Sequence, residues 1–377
     1  MTNQPYWHLP TAPSYPSLDG DLEADVCVIG LGASGLAAAL EAAALGATVV
    51  GIDRSEVAAG AAGRNGGLLL GGLAEFHHDA ADRWGPARAS ALYRMTLDEM
   101  RAIRRDYAAV TWWNGSLRIA DDEMELEDCA RQQSRMALDG LPVEWYEGPE
   151  GRGLLFPEDG GFHPARRAHQ MAERAVASGV RLYTGTPALA IDAAGVETPS
   201  GRVRASQVVI CADGALGTLL PELARRVRPV RLQMLATAPA HDVRVPRPVY
   251  ARHGYDYWQQ LADGSIALGG GRDQFREQEF TTDSTPTEPL QAWLDARLRT
   301  AVGTAAPVTH RWAAVVSYTD DALPIAEMVR PGVHAAGAYN GTGNVVGVLC
   351  GRGLARRALG HADPWLDLLD SIRSETS

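Results

Sequence analysis

A glycine-rich turn between an apolar run and a helical run constrains the fold of this 377-residue chain more than any other feature. The run that starts at Asp25 is apolar up to Gly30, and a helical stretch follows that is closed by Gly46. A continuous apolar strand is typical of parallel sheets, whose strands are buried on both faces. A second apolar run, residues 47–52, completes a βαβ unit of about 30 residues. The sequence therefore predicts an α/β fold.

The turn itself reads Gly30-x-Gly32-x-x-Gly35. In such a motif the first glycine permits the tight turn, the second lets a pyrophosphate approach the backbone, and the third allows the helix to pack closely on the strand. The start of the helix offers free N–H groups and a partial positive charge to phosphates. Asp53, which ends the second strand, has the position of the acid that binds ribose hydroxyls. Together these features predict a dinucleotide site, and a purely structural glycine turn is the alternative.

The charged residues exclude several classes of function. Lysine and arginine together number 35, and all of them are arginine. The absence of lysine excludes a Schiff-base lysine, a pyridoxal phosphate anchor and the lysine of a P-loop. The formal net charge of −11 argues against nucleic acid as a partner.

Metal sites and disulfides are not indicated by the sequence. The four cysteines show no paired spacing. The doublet His77-His78 has no third ligand nearby in sequence. We therefore expect no bound metal.

The sequence gives no sign of export or of a membrane span. Residues 1–20 contain no basic segment followed by an apolar one. The longest uncharged run, residues 331–351, contains several glycines and polar side chains and does not have the apolar character of a membrane helix. We therefore expect a soluble, cytoplasmic protein.

Segments that are typical of a nucleotide-binding domain occur in three separate parts of the sequence, and segments of a different pattern lie between them. Predicted helices cover residues 79–110, 164–178 and 343–359, and predicted strands cover residues 112–113, 117–119, 207–211 and 333–336. Residues 229–271 show short alternating segments separated by proline and glycine, as in an antiparallel sheet.

The segment Ala61-Ala62-Gly63-Arg64-Asn65-Gly66-Gly67, just after the βαβ unit, resembles the D-amino acid oxidase-like flavoproteins. The similarity is to the branch around gamma-glutamylputrescine oxidase, glycine oxidase and sarcosine oxidase, and it favours FAD over NAD. Further similar segments are His163-Pro164-Ala165-Arg166, Thr186-Pro187-Ala188-Leu189, Val208–Gly214, Arg311-Trp312-Ala313, Asp321-Ala322-Leu323-Pro324 and Gly337–Asn344. No single segment is specific, but their combination is.

The resemblance implies an α/β fold with a Rossmann-like, glutathione-reductase-like FAD-binding domain that is discontinuous in sequence. We assign residues 1–90, 151–225 and 311–377 to this domain. Residues 91–150 and 226–310 are assigned to a substrate domain that is built on an antiparallel sheet with flanking helices.

The resemblance also implies which residues bind FAD. They are Gly30, Gly32, Ala33, Ser34, Gly35, Asp53, Arg54, Ala62, Arg64, Asn65, Gly66, Gly67, Leu68, Ala188, Ala212, Gly214, Gly341, Thr342, Gly343 and Asn344. Glycines beside the isoalloxazine ring would let backbone N–H groups approach its N5–O4 edge. The N-terminus of the last helix would stabilise negative charge on the reduced ring. We expect noncovalent FAD, because the chain has neither a Cys near Ser317 nor a His in the first loop, the residues that attach the flavin in some relatives.

The activity that the resemblance implies is oxidation of a C–N bond. An amine would pass a hydride to flavin N5, the imine product would hydrolyse after release, and O2 or another acceptor would take the electrons. An amine is favoured over a small α-amino acid, because residues 313–317 lack the Arg that binds the carboxylate in some relatives. The lysine that activates oxygen in sarcosine oxidases is also missing. Two alternatives stay open: an FAD-dependent D-amino acid or glycine oxidase or dehydrogenase, and a non-catalytic dinucleotide-binding module.

No side chain is assigned as a catalytic acid or base. The candidates for facing the substrate are Tyr257, Trp258, Trp312 and Tyr339. The run that contains Tyr257 and Trp258 either frames a substrate or packs in a core. The alternative binders of a substrate carboxylate are Arg231, Arg252 and Arg272.

Overall fold

A computed structural model describes residues 3–376, which form two compact units. The first unit comprises the described residues up to His8 together with Arg64–His163 and Val230–Val315. The second comprises Leu9–Gly63, Pro164–Pro229 and the described residues from Val316 on. These boundaries differ from the predicted domain boundaries, and the assignment of a cofactor domain and a substrate domain stays a prediction.

Strands make up a large part of both units. They are β1 Leu22–Ile29, β2 Val49–Ile52, β3 Leu68–Leu69, β4 Thr111–Trp112, β5 Ser116–Ile119, β6 Glu144–Gly148, β7 Gly151–Phe156, β8 Gly160–Phe162, β9 Arg181–Tyr183, β10 Ala190–Asp192, β11 Gly195–Thr198, β12 Gly201–Cys211, β13 Arg228–Pro239, β14 Val249–Ala251, β15 Asp256–Gln260, β16 Ser265–Gly270, β17 Val308–Tyr318, β18 Ile325–Arg330 and β19 Val333–Gly337.

The helices vary from one turn to six. They are α1 Ala33–Ala44, α2 Ala61–Arg64, α3 His77–Trp84, α4 Pro86–Asp106, α5 Glu123–Leu138, α6 Pro164–Ala177, α7 Leu216–Leu219, α8 Arg276–Glu279, α9 Glu288–Arg297, α10 Val346–Ala358 and α11 Pro364–Thr376.

The second unit is built on a sheet with a parallel centre. Strands β19, β12, β1, β2 and β9 are adjacent and parallel, and β10, β11 and β18 extend the sheet by antiparallel pairing. Apolar side chains from the central strands form the core; Cys27, Ile29, Val50, Val208 and Ile210 belong to it. The predicted α/β fold with a Rossmann-like centre is confirmed.

The first unit contains the largely antiparallel sheet that was expected. Its strand order is β17-β13-β16-β15-β14-β5-β7-β6, and a smaller sheet has the order β3-β8-β4. Only β14 and β5 run parallel among the pairs whose register the structure describes. Apolar residues on one side of the larger sheet pack with helix α9, including Leu117, Leu268, Leu290 and Leu294.

Two predicted helices have different bounds in the structure. The single helix predicted over residues 79–110 was wrong: α3 ends at Trp84, and α4 begins at Pro86. Gly85 between them has φ +85°, a conformation that ends a helix, and proline is favoured at the first helical position. The last-but-one helix begins at Val346 rather than at Gly343. Helices α5, α9 and α11 were not predicted, and neither were the one-turn helices α2, α7 and α8.

Within residues 3–376, none of the helices has both the length and the apolar composition that crossing a bilayer requires.

Candidate functional site

The predicted glycine turn lies at the carboxyl end of β1 in the second unit, and two of its glycines are required by the fold. Gly30 has φ +96°, and a Cβ there would lie 2.3 Å from the carbonyl oxygen of Cys211. A Cβ on Gly35 would lie 1.8 Å from the carbonyl oxygen of Gly30. Both positions therefore exclude any side chain.

Gly32 differs, because the protein leaves space beside it. Apart from its chain neighbours, the one described residue that a Cβ on Gly32 would meet within 4 Å is Ala62, whose Cβ would lie at 3.4 Å, an ordinary contact. Helix α1 begins at the next residue, Ala33, without a side-chain cap and without an acidic residue in its first turn. An uncapped helix start beside an open glycine is suited to an anionic group such as a pyrophosphate. The residues of the turn therefore fit the cofactor that the sequence predicts.

Asp53 follows β2 and contacts the same turn. Its Oδ2 accepts a hydrogen bond from the backbone N–H of Leu31 at 2.8 Å, and its Oδ1 accepts from Ser55 N–H at 2.9 Å. Burial raises the pKa of this carboxyl, although the two N–H donors oppose the shift. The backbone carbonyl of Asp53 accepts from Thr186 N–H at 2.7 Å, which brings the segment with Ala188 to this side of the sheet. Arg54 is exposed.

The segments after β12 and β19 lie close together, and their backbones are strained. Asp213, Ala338 and Asn340 have φ values of +29°, +49° and +55°. Non-glycine residues with positive φ are costly and cluster at functional sites. The carboxylate of Asp213 accepts from Ser317 N–H at 3.3 Å, while the Ser317 hydroxyl donates to the Asp213 carbonyl at 3.1 Å.

Asp213 is a half-buried acid in this region that the sequence did not indicate as a site residue. Burial raises its pKa to about 7, even though the backbone N–H groups of Ser317, Tyr339 and Ala338 donate to it. The predicted site residues Ala212 and Gly214 flank it in sequence, and both are half-buried. An acid that receives so many backbone donors holds the ends of β12 and β19 together.

The turn before α10 contains Gly341, Thr342, Gly343 and Asn344. The Thr342 hydroxyl donates to the Tyr339 carbonyl at 2.7 Å. Gly341 has φ +88°, and a Cβ on Gly343 would lie 3.0 Å from the Tyr339 ring. The buried Arg167 of α6 donates to the Asn344 carbonyl at 2.8 Å. Sequence reasoning missed Arg167, although it directly follows the quoted His163–Arg166 motif.

In the first unit, the segment from Arg64 to Gly67 is held by four donors that are distant in sequence. The carbonyl oxygens of Arg64, Asn65, Gly66 and Gly67 accept from Trp312 Nε1 at 2.8 Å, Trp7 Nε1 at 2.8 Å, Gln259 Nε2 at 2.5 Å and Phe162 N–H at 2.8 Å, respectively. The Asn65 side chain accepts from Gly67 N–H at 2.8 Å. The next predicted site residue, Leu68, is half-buried at the start of β3.

The four substrate-facing candidates differ in their surroundings. Trp258 is 4% exposed and belongs to the apolar cluster on the α9 side of its sheet. Trp312 is fully buried and donates to Arg64, and Tyr339 donates its hydroxyl to Ser34 at 2.7 Å. These contacts favour packing roles for the three residues. Tyr257 lies beside Gly66, on the face that carries the Arg64–Gly67 segment, and stays the candidate for facing a substrate.

Of the three arginines proposed as alternative binders of a substrate carboxylate, Arg231 and Arg252 are paired with carboxylates of the protein. Arg231 donates to both carboxylate oxygens of the fully buried Glu279, at 2.9 and 3.0 Å. Arg252 pairs with Asp256 at 3.1 Å and with Asp273. The Arg272 guanidinium lies over the Tyr255 ring, 4.6 Å from its centroid.

Each histidine of the doublet His77-His78 forms a hydrogen bond with an aspartate side chain. His77 Nε2 lies 2.7 Å from Asp139. His78 Nε2 lies 2.9 Å from Asp128, a residue that also pairs with the buried Arg118 at 2.6 Å. The ligand atoms of His78, Asp79 and Asp128 lie within 4.8 Å of one another. Because Arg118 already neutralises Asp128, we interpret this group as a buried ion-pair network.

The parallel sheet, the open glycine turn at a helix start and the acid after β2 define the second unit as part of a dinucleotide-binding protein. Residues 25–357 match the DAO family, described as FAD dependent oxidoreductase. The chain therefore belongs to the DAO family of FAD-dependent oxidoreductases, and the predicted cofactor, FAD, is confirmed at the level of this family.

Similar proteins agree with this assignment. A probable oxidoreductase, OrdL, of Rhizobium meliloti is 27% identical, with 97% of this chain and 90% of that protein covered. The gamma-glutamylputrescine oxidoreductase of Escherichia coli is 27% identical, with 68% of this chain and 66% of that protein covered.

Solved structures with the same fold are more distant in sequence. L-proline dehydrogenase from P. horikoshii has a TM-score of 0.75 at 19% identity, covering 95% of this chain and 99% of that one. Glycine oxidase from Bacillus cereus has a TM-score of 0.74 at 19% identity, covering 91% of this chain and 99% of that one.

Proposed function

We propose that this FAD-dependent oxidoreductase oxidises the C–N bond of an amine that carries no carboxylate on the reacting carbon. The observation that carries the proposal is the pairing of the arginines on the sheet of the first unit. Arg231 is bound by Glu279, and Arg252 is bound by Asp256 and Asp273. A substrate carboxylate that is buried without a cationic partner costs several kcal/mol.

The stretch 313–317 supports the same proposal, because it reads Ala-Ala-Val-Val-Ser and contains no cation. The third of the alternative carboxylate binders, Arg272, stacks on the ring of Tyr255. Among the similar proteins, the name gamma-glutamylputrescine oxidoreductase refers to an amine substrate. The names glycine oxidase and L-proline dehydrogenase refer to amino acids, and oxidation of an amino acid is therefore the alternative function.

FAD would supply the acceptor for the hydride that leaves the substrate carbon. In the proposed arrangement, the N–H groups from Gly32 to Gly35 bind its phosphates and Asp53 accepts from its ribose. The Gly341–Asn344 turn offers the start of α10, whose partial positive charge stabilises negative charge on the reduced cofactor. The segment from Arg64 to Leu68 contributes the backbone N–H of Gly66.

The cofactor is proposed to be noncovalent. Cys27, Cys211 and Cys350 of the second unit are buried, and burial raises the pKa of each thiol to about 12. Such thiols are poor nucleophiles, because the thiolate is the reactive form. Free thiols are also typical of a reducing compartment, which supports a cytoplasmic location.

The absorption spectrum of the purified protein, followed by anaerobic mixing with a panel of amines, tests the proposal. We expect a flavin spectrum that at least one amine bleaches, and acid precipitation should release the flavin into the supernatant. Flavin that stays in the pellet would contradict noncovalent binding. A flavin that no amine and no amino acid reduces would favour a non-catalytic dinucleotide-binding module.

Admission of air after bleaching then separates the two classes of electron acceptor. Because the chain contains no lysine, it lacks the residue that the resemblance assigns to oxygen activation. We expect slow reoxidation by O2 and fast reoxidation by an artificial quinone. Fast reoxidation by O2 would identify an oxidase.

A further inference from the structure

The Arg64–Gly67 segment has an unusual distribution of hydrogen bonds. Its four successive carbonyl oxygens all accept from donors of the first unit, and three of those donors are side chains: Trp312, Trp7 and Gln259. Successive peptide carbonyls in a loop ordinarily bond to water or to neighbouring backbone. Here the orientation of each peptide plane is set by a residue from another part of the chain.

Within this segment, the backbone N–H of Gly66 is not used in a hydrogen bond to a described residue. The residue is buried, and its N–H forms no hydrogen bond with a described residue, whereas Gly67 N–H is bonded to the Asn65 side chain. A Cβ on Gly66 would lie 2.9 Å from the ring of Tyr257, so only glycine fits. A buried backbone N–H without a partner is rare in native proteins, and the FAD that is proposed to bind this segment can supply the acceptor.

We propose that Trp7 and Gln259 are positioning residues. Trp7 holds the Asn65 carbonyl, and with it the 65–66 peptide, so that Gly66 N–H is presented to the FAD. Gln259 holds the Gly66 carbonyl and so fixes the next peptide, on the other side of the Gly66 Cα. Trp7 is 1% exposed and lies edge-on to His163 at 5.2 Å between centroids, so its indole has little freedom. Gln259 is also 1% exposed, and within residues 3–376 its Oε1 has no hydrogen-bond partner, so the bond to Gly66 is the one polar contact of its side chain with that part of the chain. This inference rests on the proposed binding of FAD by the Arg64–Leu68 segment.

The electrostatic consequence follows from the peptide dipole. With the carbonyl held inward, the positive end of the 65–66 peptide faces outward, where an N–H donor stabilises charge that develops on reduction. If Trp7 or Gln259 loses its donor, the peptide whose carbonyl it held, 65–66 or 66–67 respectively, can rotate and present a carbonyl oxygen instead. The cofactor should then be harder to reduce, so its midpoint potential should become more negative.

The test compares the holoprotein with Trp7→Phe and Gln259→Met, which retain side-chain bulk and remove one donor each. Trp365→Phe is the control for the first variant, since Trp365 is equally buried and donates to Cys350 Sγ in the second unit. Gln260→Met is the control for the second. Gln260 is the next residue of β15, and its amide donates to the carbonyls of Ala240, Val243 and Gly264.

The readouts are the thermal midpoint, the visible spectrum of bound FAD and its midpoint potential in a dithionite titration. Trp7→Phe and Gln259→Met should shift the spectrum and lower the potential, and should slow reduction by a substrate about tenfold or more. The controls should lose comparable thermal stability with the potential unchanged. If all four variants lose stability alike and keep the wild-type potential, Trp7 and Gln259 are merely structural and the inference is overturned.

Measurement of the midpoint potential of bound FAD tests this inference independently of the proposed amine substrate. A wild-type protein that no amine reduces would contradict the amine proposal, while dithionite titration of the same four variants would still decide the role of Trp7 and Gln259. If only one of the two variants lowers the potential, the proposal fails for the other residue.

Discussion

The hydroxyl of Tyr339 donates a hydrogen bond of 2.7 Å to the hydroxyl of Ser34 inside the second unit. The two residues are 305 positions apart in sequence. Tyr339 follows β19 and precedes the turn into α10, and Ser34 lies in the first turn of α1, two residues after Gly32. This bond joins the two helix starts that the proposed function assigns to the cofactor.

Tyr339→Phe should therefore weaken FAD binding as well as the fold. Loss of one buried hydrogen bond should lower the free energy of unfolding of the apoprotein by about 0.5–1.5 kcal/mol. FAD affinity, measured by titration of the apoprotein, should fall in addition. Tyr183→Phe is the control, because Tyr183 is half-buried in the same unit but packs against its apolar core. An unchanged dissociation constant for Tyr339→Phe would show that the bond serves the fold only.

Gly32 and Gly35 should respond differently to substitution by alanine. Gly35→Ala should prevent correct folding, because the new Cβ would overlap the Gly30 carbonyl. Gly32→Ala should fold with near-native stability, because its Cβ would lie 3.4 Å from the Ala62 Cβ, an ordinary contact. It should lose FAD affinity, because the same Cβ would occupy space that is proposed for the phosphates. Circular dichroism and FAD titration measure the two effects. A Gly32→Ala protein with native FAD affinity would contradict the placement of the phosphates.

Asp53→Ala should weaken FAD binding by about 1–3 kcal/mol, the usual scale for hydrogen bonds to a charged acceptor. Asp25→Ala is a matched control: Asp25 lies near the start of β1 and accepts from Thr48 N–H at 2.7 Å, as Asp53 accepts from Leu31 N–H near the other end. Both variants should lose some stability, and only Asp53→Ala should lose affinity. Equal affinities for the two variants would remove Asp53 from the proposed ribose site.

Asp159 should make the stability of the protein depend on pH. It is 2% exposed, and burial raises its pKa from 3.8 to about 7, although Ser116 and Gly71 donate to it. A raised pKa in the folded state means that the folded protein binds the proton more tightly, so stability is full below pH 3.8 and is lost as the pH rises towards 7.

Asp159→Asn should remove this part of the pH dependence, which is at most about 4 kcal/mol. Denaturant unfolding at about pH 5 and at about pH 8 measures it. Asp213 has a similarly raised pKa and should leave a residual slope in the variant. The exposed Asp98 provides the control Asp98→Asn, which should keep the wild-type slope. A wild-type slope in Asp159→Asn would show that Asp159 is ionised in the folded protein.

Features that are formed by residues close together in the sequence could be predicted. The βαβ unit, the roles of the glycines around Gly32 and the position of Asp53 follow from spacing within about 30 residues. Local signals were also overlooked: Gly85-Pro86 marks the break between α3 and α4, and Asp122 caps α5 by accepting from Glu125 N–H at 2.8 Å. Both are standard helix start and stop signals.

Contacts between distant residues could not be predicted from one sequence. Trp7 meets Asn65 across 58 positions, and Gln259 meets Gly66 across 193 positions. No periodicity relates such pairs, because they depend on how the sheets bring the chain together. For the same reason Trp258 and Tyr257, which are adjacent in sequence, were both proposed to face a substrate, whereas alternation along β15 sends them to opposite faces.

The most direct test of the amine proposal is anaerobic stopped-flow reduction of the bound flavin by pairs of compounds that differ only in a carboxylate. D-alanine is compared with ethylamine, and proline with pyrrolidine. Because Arg231 and Arg252 are paired within the protein, the amine of each pair should reduce the flavin faster, by about 30-fold or more if a carboxylate finds no cation. Faster reduction by the amino acid in both pairs would contradict the account and identify an amino-acid oxidoreductase.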